Sequence, residues 1–259
     1  MSTSTQKVAI VTGGATGIGK AVAQALVARG VAVVIAGRSQ QRGDAAAAEI
    51  GGNTLFVQTD VSQEGDIVRL LTATLDRYGR LDYLVNNAGI EAGMGGFEGT
   101  EADLIDSVLA INVKGVFLAI KHAAPVMVRQ QDGVIINMAS FVGTTMPIPQ
   151  AAIYGASKAA VLSLTRAAAV AYAEQHVRVY AVCPWMTDTP MADRQTDSDP
   201  AAKAGYAAAI NPSKQLATPD DLAQATVDLL EGRTELANGE AVLVDHGSAL
   251  NRIIPMTVA

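Results

Sequence analysis

Seven short runs rich in β-branched and other apolar residues recur through the chain, at 7–12, 32–36, 54–58, 83–86, 133–138, 177–182 and 241–244. Between them lie longer stretches with helical periodicity, at 17–29, 40–50, 64–78, 101–129, 153–174 and 219–231. Runs that are apolar throughout suit strands buried on both faces, which parallel sheets covered by helices provide. Regular alternation of strand and helix is the signature of βαβ units. The pattern predicts one α/β domain over residues 1–259, a doubly wound sheet of seven parallel strands with helices on both faces. No linker rich in Pro, Gly or Ser divides it. The one irregular stretch, 185–212, follows the sixth strand, where open sheets of this kind bind ligands.

Composition narrows the functions available. A length of 259 residues can bury a large core, and 49% of residues are apolar against 17% charged. The net charge of −6 has no basic run behind it, which speaks against nucleic acid and anionic membranes as partners. No apolar stretch is long enough to span a bilayer, and the polar start lacks a signal-peptide core. The single cysteine, Cys183, excludes an internal disulfide and fits a reducing, cytoplasmic setting. His122, His176 and His246 lack metal-ligand spacing, so no metal site is expected.

Two local motifs carry chemistry. Thr12-Gly13-Gly14-Ala15-Thr16-Gly17-Ile18-Gly19 joins the first strand to the first helix. Its glycines permit a tight turn and close backbone approach, and the helix start offers free N–H groups to a pyrophosphate. The Gly-x-x-x-Gly-x-Gly spacing departs from the generic dinucleotide fingerprint. Further on, Tyr154 and Lys158 stand one turn apart at the head of a long helical pattern. A cation beside a phenol favours the phenolate, so the tyrosine is expected to exchange its proton well below its usual pKa of about 10. Such a group serves as a general acid or base near neutral pH.

Other segments fall in register with these two: Asp60-Val61 after the third strand, Asn86-Asn87-Ala88-Gly89 after the fourth and Asn112 in a long helical stretch. Asn137-Met138-Ala139-Ser140 follows within and just past the fifth strand, and Pro184 after the sixth. In order and spacing, residues 7–247 closely resemble the short-chain dehydrogenase/reductase family. The resemblance implies a Rossmann-type domain and hydride exchange between a secondary alcohol and a ketone. It also implies a nicotinamide cofactor and a homo-oligomer, with a tetramer expected.

By that resemblance Tyr154 is the acid/base, Ser140 holds the substrate oxygen, Lys158 tunes the tyrosine and binds the nicotinamide ribose, and Asn112 anchors a water in a proton relay. The cofactor would lie against Gly13, Thr16, Gly17, Ile18 and Gly19, with Asp60 and Val61 at the adenine and Asn87, Ala88 and Gly89 beneath the adenosine. Pro184, Thr187 and Thr189 would flank the nicotinamide. Asn86 and Asn87 also suit a turn-stabilising role. The second strand closes on Ala36-Gly37-Arg38-Ser39, with no acidic residue for ribose hydroxyls and with arginine placed for a 2′-phosphate. NADP(H) is therefore favoured and NAD(H) stays open, since Thr16 stands where many NADP users carry a basic residue.

The family commonly places glycine after the proline of the sixth strand, and this chain has Trp185. Its indole either walls the pocket or folds onto the outside of the loop, and it leaves room for a catalytically weak dinucleotide-binding sensor or scaffold. The presumed pocket residues Glu91, Met94, Phe141, Met146, Ile148, Trp185, Met186 and Met191 are mostly apolar. A hydrophobic alcohol or ketone is the expected substrate. Small residues at 156, 160, 167 and 171 give the helix bearing Tyr154 a face that another helix can approach. The apolar tail, 251–259, is a further candidate for docking on a neighbour.

Overall fold

A computed structural model describes residues 6–144, 147–196, 198–210, 215–245 and 252–254. Eight strands form one sheet: β1 (Val8–Thr12), β2 (Ala32–Gly37), β3 (Thr54–Gln58), β4 (Tyr83–Asn86), β5 (Gly133–Met138), β6 (Val177–Pro184), β7 (Ala241–Val244) and β8 (Arg252–Ile254). The helices are α1 (Gly17–Val27), α2 (Gln40–Ile50), α3 (Glu64–Tyr78), α4 (Ala102–Leu109), α5 (Gly115–Gln130), α6 (Ala152–Tyr172), α7 (Pro190–Gln195), α8 (Pro200–Ile210) and α9 (Pro219–Leu230). Strand order is β3-β2-β1-β4-β5-β6-β7-β8. The first seven are parallel, as the buried apolar runs require, and β8 adds antiparallel to β7.

Alternation along each strand sends side chains to two separate cores. Ala9, Val11, Tyr83, Val85, Val134 and Ile136 pack with α1 and α9 on one face. Ile10, Leu84, Ile135, Val179 and Ala181 pack with α3, α5 and α6 on the other. The chain reverses winding direction between β1 and β4, so Thr12 and Asn86 end side by side and the helices that follow diverge. That divergence opens a crevice at the carboxyl edge of the sheet.

Three local features differ from the sequence reading. The stretch read as one helix over 101–129 is interrupted by a π-helical turn at Ala110–Lys114, which carries Asn112. Inserting one residue per turn in this way re-aims side chains, and π turns of this kind cluster at functional sites. The stretch at 185–212, read as irregular, contains α7 and α8. Thr189 caps α7, with its hydroxyl oxygen accepting from Ala192 N at 3.4 Å, and Pro190 supplies the first helical position. The sheet has an eighth strand because residues 252–254 of the apolar tail pair with β7. The rest of that tail, with Met146 and His246, lies outside the described residues.

Beneath the crevice a buried amide links three elements. Asn137 Oδ1 accepts from Asn86 Nδ2 at 2.8 Å, and Asn137 Nδ2 donates to Thr165 Oγ1 at 2.9 Å, tying β4, β5 and α6 together. Asn137 is wholly buried, so no solvent replaces these bonds. Asn137→Ala is expected to lower stability by about 1–3 kcal/mol, read from urea unfolding. A loss under about 0.5 kcal/mol, the range of an ordinary surface substitution, would contradict this role.

Candidate active site

The glycine-rich turn is shaped by its neighbours as much as by its own sequence. Gly13 has φ +66°, and a Cβ there would lie 2.8 Å from Asn87 Nδ2. A Cβ on Gly19 would come within 2.4 Å of that same nitrogen. Asn87 donates to Thr12 O at 2.9 Å and Gly13 O at 3.2 Å, so its amide straps the turn. Thr12 completes the strap, its hydroxyl oxygen accepting from the backbone N–H groups of Asn87 and Ala88 at 3.0 Å. Thr12 was missed as a site residue; its position at the strand end was the only signal. Thr16 precedes α1 without a side-chain cap, which leaves the first-turn N–H groups to a ligand. The cradle fits a pyrophosphate.

The crevice has two compartments that share Gly13, Thr16, Ala88 and Gly89. The smaller, about 190 Å³, is lined by Gly37, Arg38, Ser39, Arg42, Asp60 and Val61. Ser39 caps α2, its hydroxyl oxygen accepting from Arg42 N at 3.4 Å. One oxygen of Asp60 is held in a turn by the N–H and hydroxyl of Ser62 at 2.9 and 2.7 Å. The larger, about 270 Å³, takes in Gly17, Ile18, Asn87, Ser140, Tyr154, Lys158, Pro184, Thr187 and Thr189. Thr187 is buried, and its hydroxyl donates to Trp185 O at 2.9 Å.

Tyr154, Ser140 and Lys158 meet in the larger compartment. Tyr154 and Ser140 line the same compartment, with Ser140 close enough to act on the Tyr154 phenol. Lys158 Nζ lies 5.6 Å from the Tyr154 ring centroid and donates to Met138 O at 2.9 Å. Lys158 is only 4% exposed, and among the described residues no carboxylate pairs with it. Burial pushes the ammonium down to about 8. The same cause pushes the Tyr154 phenol up to about 12; Ser140 lowers it in part, and Glu91 and Cys183 raise it further. With protein groups alone, therefore, the expected lowering of the phenol is reversed: loss of solvent raises it, and Lys158, itself brought down to about 8, has given up its charge before the phenol titrates. Cys183 is itself buried and pushed up to about 12, an unreactive thiol.

Asn112 lies with Lys158 behind Gly89, where a Cβ would come 3.2 Å from Asn112 Oδ1 and 3.4 Å from Lys158 Nζ. Its Oδ1 accepts from Ile90 N at 2.9 Å, and its Nδ2 donates to Ile90 O at 2.9 Å and Ser157 Oγ at 3.1 Å. Its side-chain N–H groups are thus both used within the protein, so the amide has no donor left for the expected water. Ser157, also missed from sequence, receives that bond and donates to Tyr154 O at 2.7 Å. Its place inside the Tyr-x-x-x-Lys segment was the available signal.

Trp185 walls the pocket. It is buried, with its ring centroid 4.4 Å from that of Phe141 at a 32° tilt, and it packs with Val142, Ile148, Tyr154 and Met186. Its backbone N–H continues the sheet by donating to Val244 O at 2.9 Å. The indole leaves the larger compartment open. Met94 and Met191 line the same space. Among the described residues, no group of three or more His, Cys, Asp or Glu side chains is arranged to hold a metal ion. Among them too, no helix is long and apolar enough to cross a membrane.

Known proteins share this arrangement along most of the chain. A profile described as short chain dehydrogenase matches residues 7–200. The 2-(R)-hydroxypropyl-CoM dehydrogenase of Xanthobacter autotrophicus is 37% identical, covering 92% of this chain and 97% of its own. The 2,5-dichloro-2,5-cyclohexadiene-1,4-diol dehydrogenase of Sphingobium indicum is 36% identical over 95% of this chain and 98% of its own. Among solved structures, a 3-ketoacyl-(acyl-carrier-protein) reductase from Brucella melitensis complexed with NADH superposes with a TM-score of 0.83. It is 33% identical, over 94% of this chain and 98% of that one.

The reversed phenol has a direct readout. Tyrosinate difference absorbance between the protein and Tyr154→Phe should show no ionisation of Tyr154 below about pH 10 when no cofactor is added. A Tyr154 signal below about pH 9 would contradict the dominance of burial.

Proposed function

The chain belongs to the short-chain dehydrogenase family, oxidoreductases that act on CH–OH groups with NAD(P), and from that premise we propose that it interconverts an apolar secondary alcohol and its ketone with NADP(H). The observation that carries the proposal is the Tyr154–Ser140 pair beside buried Lys158, in a crevice continuous with the glycine-rich cradle. The nicotinamide supplies the hydride when bound; the protein supplies position and a proton. Tyr154 stays protonated through neutral pH and so has a proton ready for a ketone oxygen. Ser140 holds that oxygen as negative charge develops on it. Lys158 hydrogen-bonds the ribose, which returns to the ammonium part of the solvation it lost on burial.

The NADP(H) preference rests on the smaller compartment. Arg38 and Arg42 line it, Gly37 presents no carboxylate, and among the described residues neither arginine has an acidic partner. A 2′-phosphate would accept from Arg38 and from the Ser39 hydroxyl, whose proton is not used in capping α2. NAD(H) is the second reading, favoured by the Brucella reductase complexed with NADH.

Apolar walls from Met94, Phe141, Val142, Ile148, Trp185 and Met191 suit a compact hydrophobic substrate. A ring ketone laid against Trp185 fits them, and one relative is named for a cyclohexadienediol. A homotetramer is the proposed assembly, with the faces of α4, α5 and α6 buried between copies. Leu109, Phe117 and Val170 on those helices are 39%, 55% and 82% exposed in the lone chain. The cytoplasm is the proposed compartment.

NADPH and NADH oxidation against a panel of cyclic and open-chain ketones tests both halves. Tyr154→Phe should cost roughly 100- to 10,000-fold in kcat, and turnover equal to the unmodified enzyme would refute the acid role. Arg38→Ala should lower kcat/KM for NADPH by roughly 10- to 100-fold and leave NADH little changed. Equal losses with both cofactors would refute the phosphate contact.

A further inference from the structure

The substrate cleft holds a hydrogen-bond donor that its own walls leave unused. Trp185 follows β6, is 8% exposed and lines the larger compartment. Its backbone is fully employed: the N–H donates to Val244 O at 2.9 Å, and the carbonyl accepts from the Thr187 hydroxyl at 2.9 Å. The indole Nε1, by contrast, is buried and has no hydrogen-bond partner among the described residues. The side chains packed with the indole are Phe141, Val142, Ile148, Tyr154, Met186 and Leu243. All but Tyr154 are hydrocarbon or thioether, so the stack offers the N–H no amide and no carboxylate. A buried indole N–H ordinarily finds an acceptor, and leaving it without one is unfavourable.

We propose that Trp185 is a specificity-determining donor: its indole N–H binds a second oxygen of the substrate, a carbonyl or hydroxyl carried on the same compact ring as the reacting carbon. This deepens, and rests on, the reading of Tyr154 and Ser140 as the groups that hold the reacting oxygen. The indole packs on Tyr154 and on Phe141, the residue after Ser140, so a ring with one oxygen at Tyr154 lies within reach of the indole. Nε1 is closed to water in the empty cleft, so a ligand oxygen there displaces no water from the indole and supplies a bond the fold forgoes. Ile148 and Met186, two half-buried members of the stack, line the compartment and are the side chains that yield to such a ligand. Methionine is unbranched and repacks readily. A ligand with a single oxygen leaves the donor stranded, which is how a polar site rejects an analogue lacking the matching group.

Trp185 is the single tryptophan of the chain, so its indole N–H gives one resonance to follow. The protein is isotope-labelled at the tryptophan nitrogen, and the oxidised cofactor is added so that no ketone is reduced. A cyclohexanedione should then move the indole proton resonance downfield, and cyclohexanone should not. In turnover, the kcat/KM ratio of the best cyclohexanedione to cyclohexanone should fall roughly 10- to 100-fold in Trp185→Phe, which keeps an aromatic ring against Phe141 and removes the donor. Comparing ratios cancels the greater intrinsic reactivity of a dione and any general damage to the wall. An indole signal that ignores the dione of every ring spacing, or moves equally with cyclohexanone, would overturn the donor. A ratio that the variant leaves intact would overturn it too. A Tyr154→Phe protein as active as the unmodified one would instead remove the reading of the acid, and the indole signal would still decide the donor.

Discussion

A buried ammonium with no carboxylate partner among the described residues is the constraint on which the site depends. Among the described residues Lys158 is held by one backbone carbonyl, that of Met138, and burial brings it down to about 8. Keeping it charged at neutral pH costs the fold on the order of 3 kcal/mol, since one pH unit is about 1.4 kcal/mol. The sign follows from linkage: the unfolded lysine binds its proton more tightly, so the cost is full below about pH 8 and fades as pH rises toward 10.5. A cation retained at that cost is primed for any polar ligand that restores its hydrogen bonds. Its place beside Tyr154 and behind Gly89, where a Cβ would lie 3.4 Å from Nζ, ties the tyrosine and the glycine-lined floor to one charge.

The scaffolding around that charge is a chain of amides and hydroxyls. Asn112 joins the loop after β4 to α6 through Ser157, Asn137 joins β4 and β5 to α6 through Thr165, and Asn87 binds the fourth strand's end to the glycine turn. Each is buried or nearly so, and each has two or more partners, which is the condition for a polar network to rigidify. The proposed proton chemistry and the proposed cofactor cradle therefore share one set of supports. A disturbance at Asn87 or Asn112 reaches both.

Much of this was legible in the sequence. The seven parallel strands follow from apolar runs that could only be buried on both faces, and the crevice follows from their alternation with helices. The residues brought together there, from Gly13 to Thr189, stand in the order that the resemblance implied. What escaped was set by tertiary context. A π turn at Ala110–Lys114 leaves helical periodicity nearly intact and so hides in it. The helices α7 and α8 were masked by prolines, which read as breakers although Pro190 and Pro200 begin helices. The orientation of Trp185 depended on Phe141 lying opposite it. The direction of the Tyr154 shift depended on how far solvent is excluded, which a spacing of four residues does not encode.

The central claim is that Tyr154 and Ser140 grip a substrate oxygen beside the nicotinamide while Lys158 holds its ribose. A crystal structure with NADPH and a bound ketone tests it most directly. The account predicts the ketone oxygen within about 2.6–3.2 Å of both Tyr154 Oη and Ser140 Oγ, with Lys158 Nζ on the ribose. A dinucleotide seated away from the glycine-rich turn, or a ketone oxygen turned from Tyr154, would contradict it.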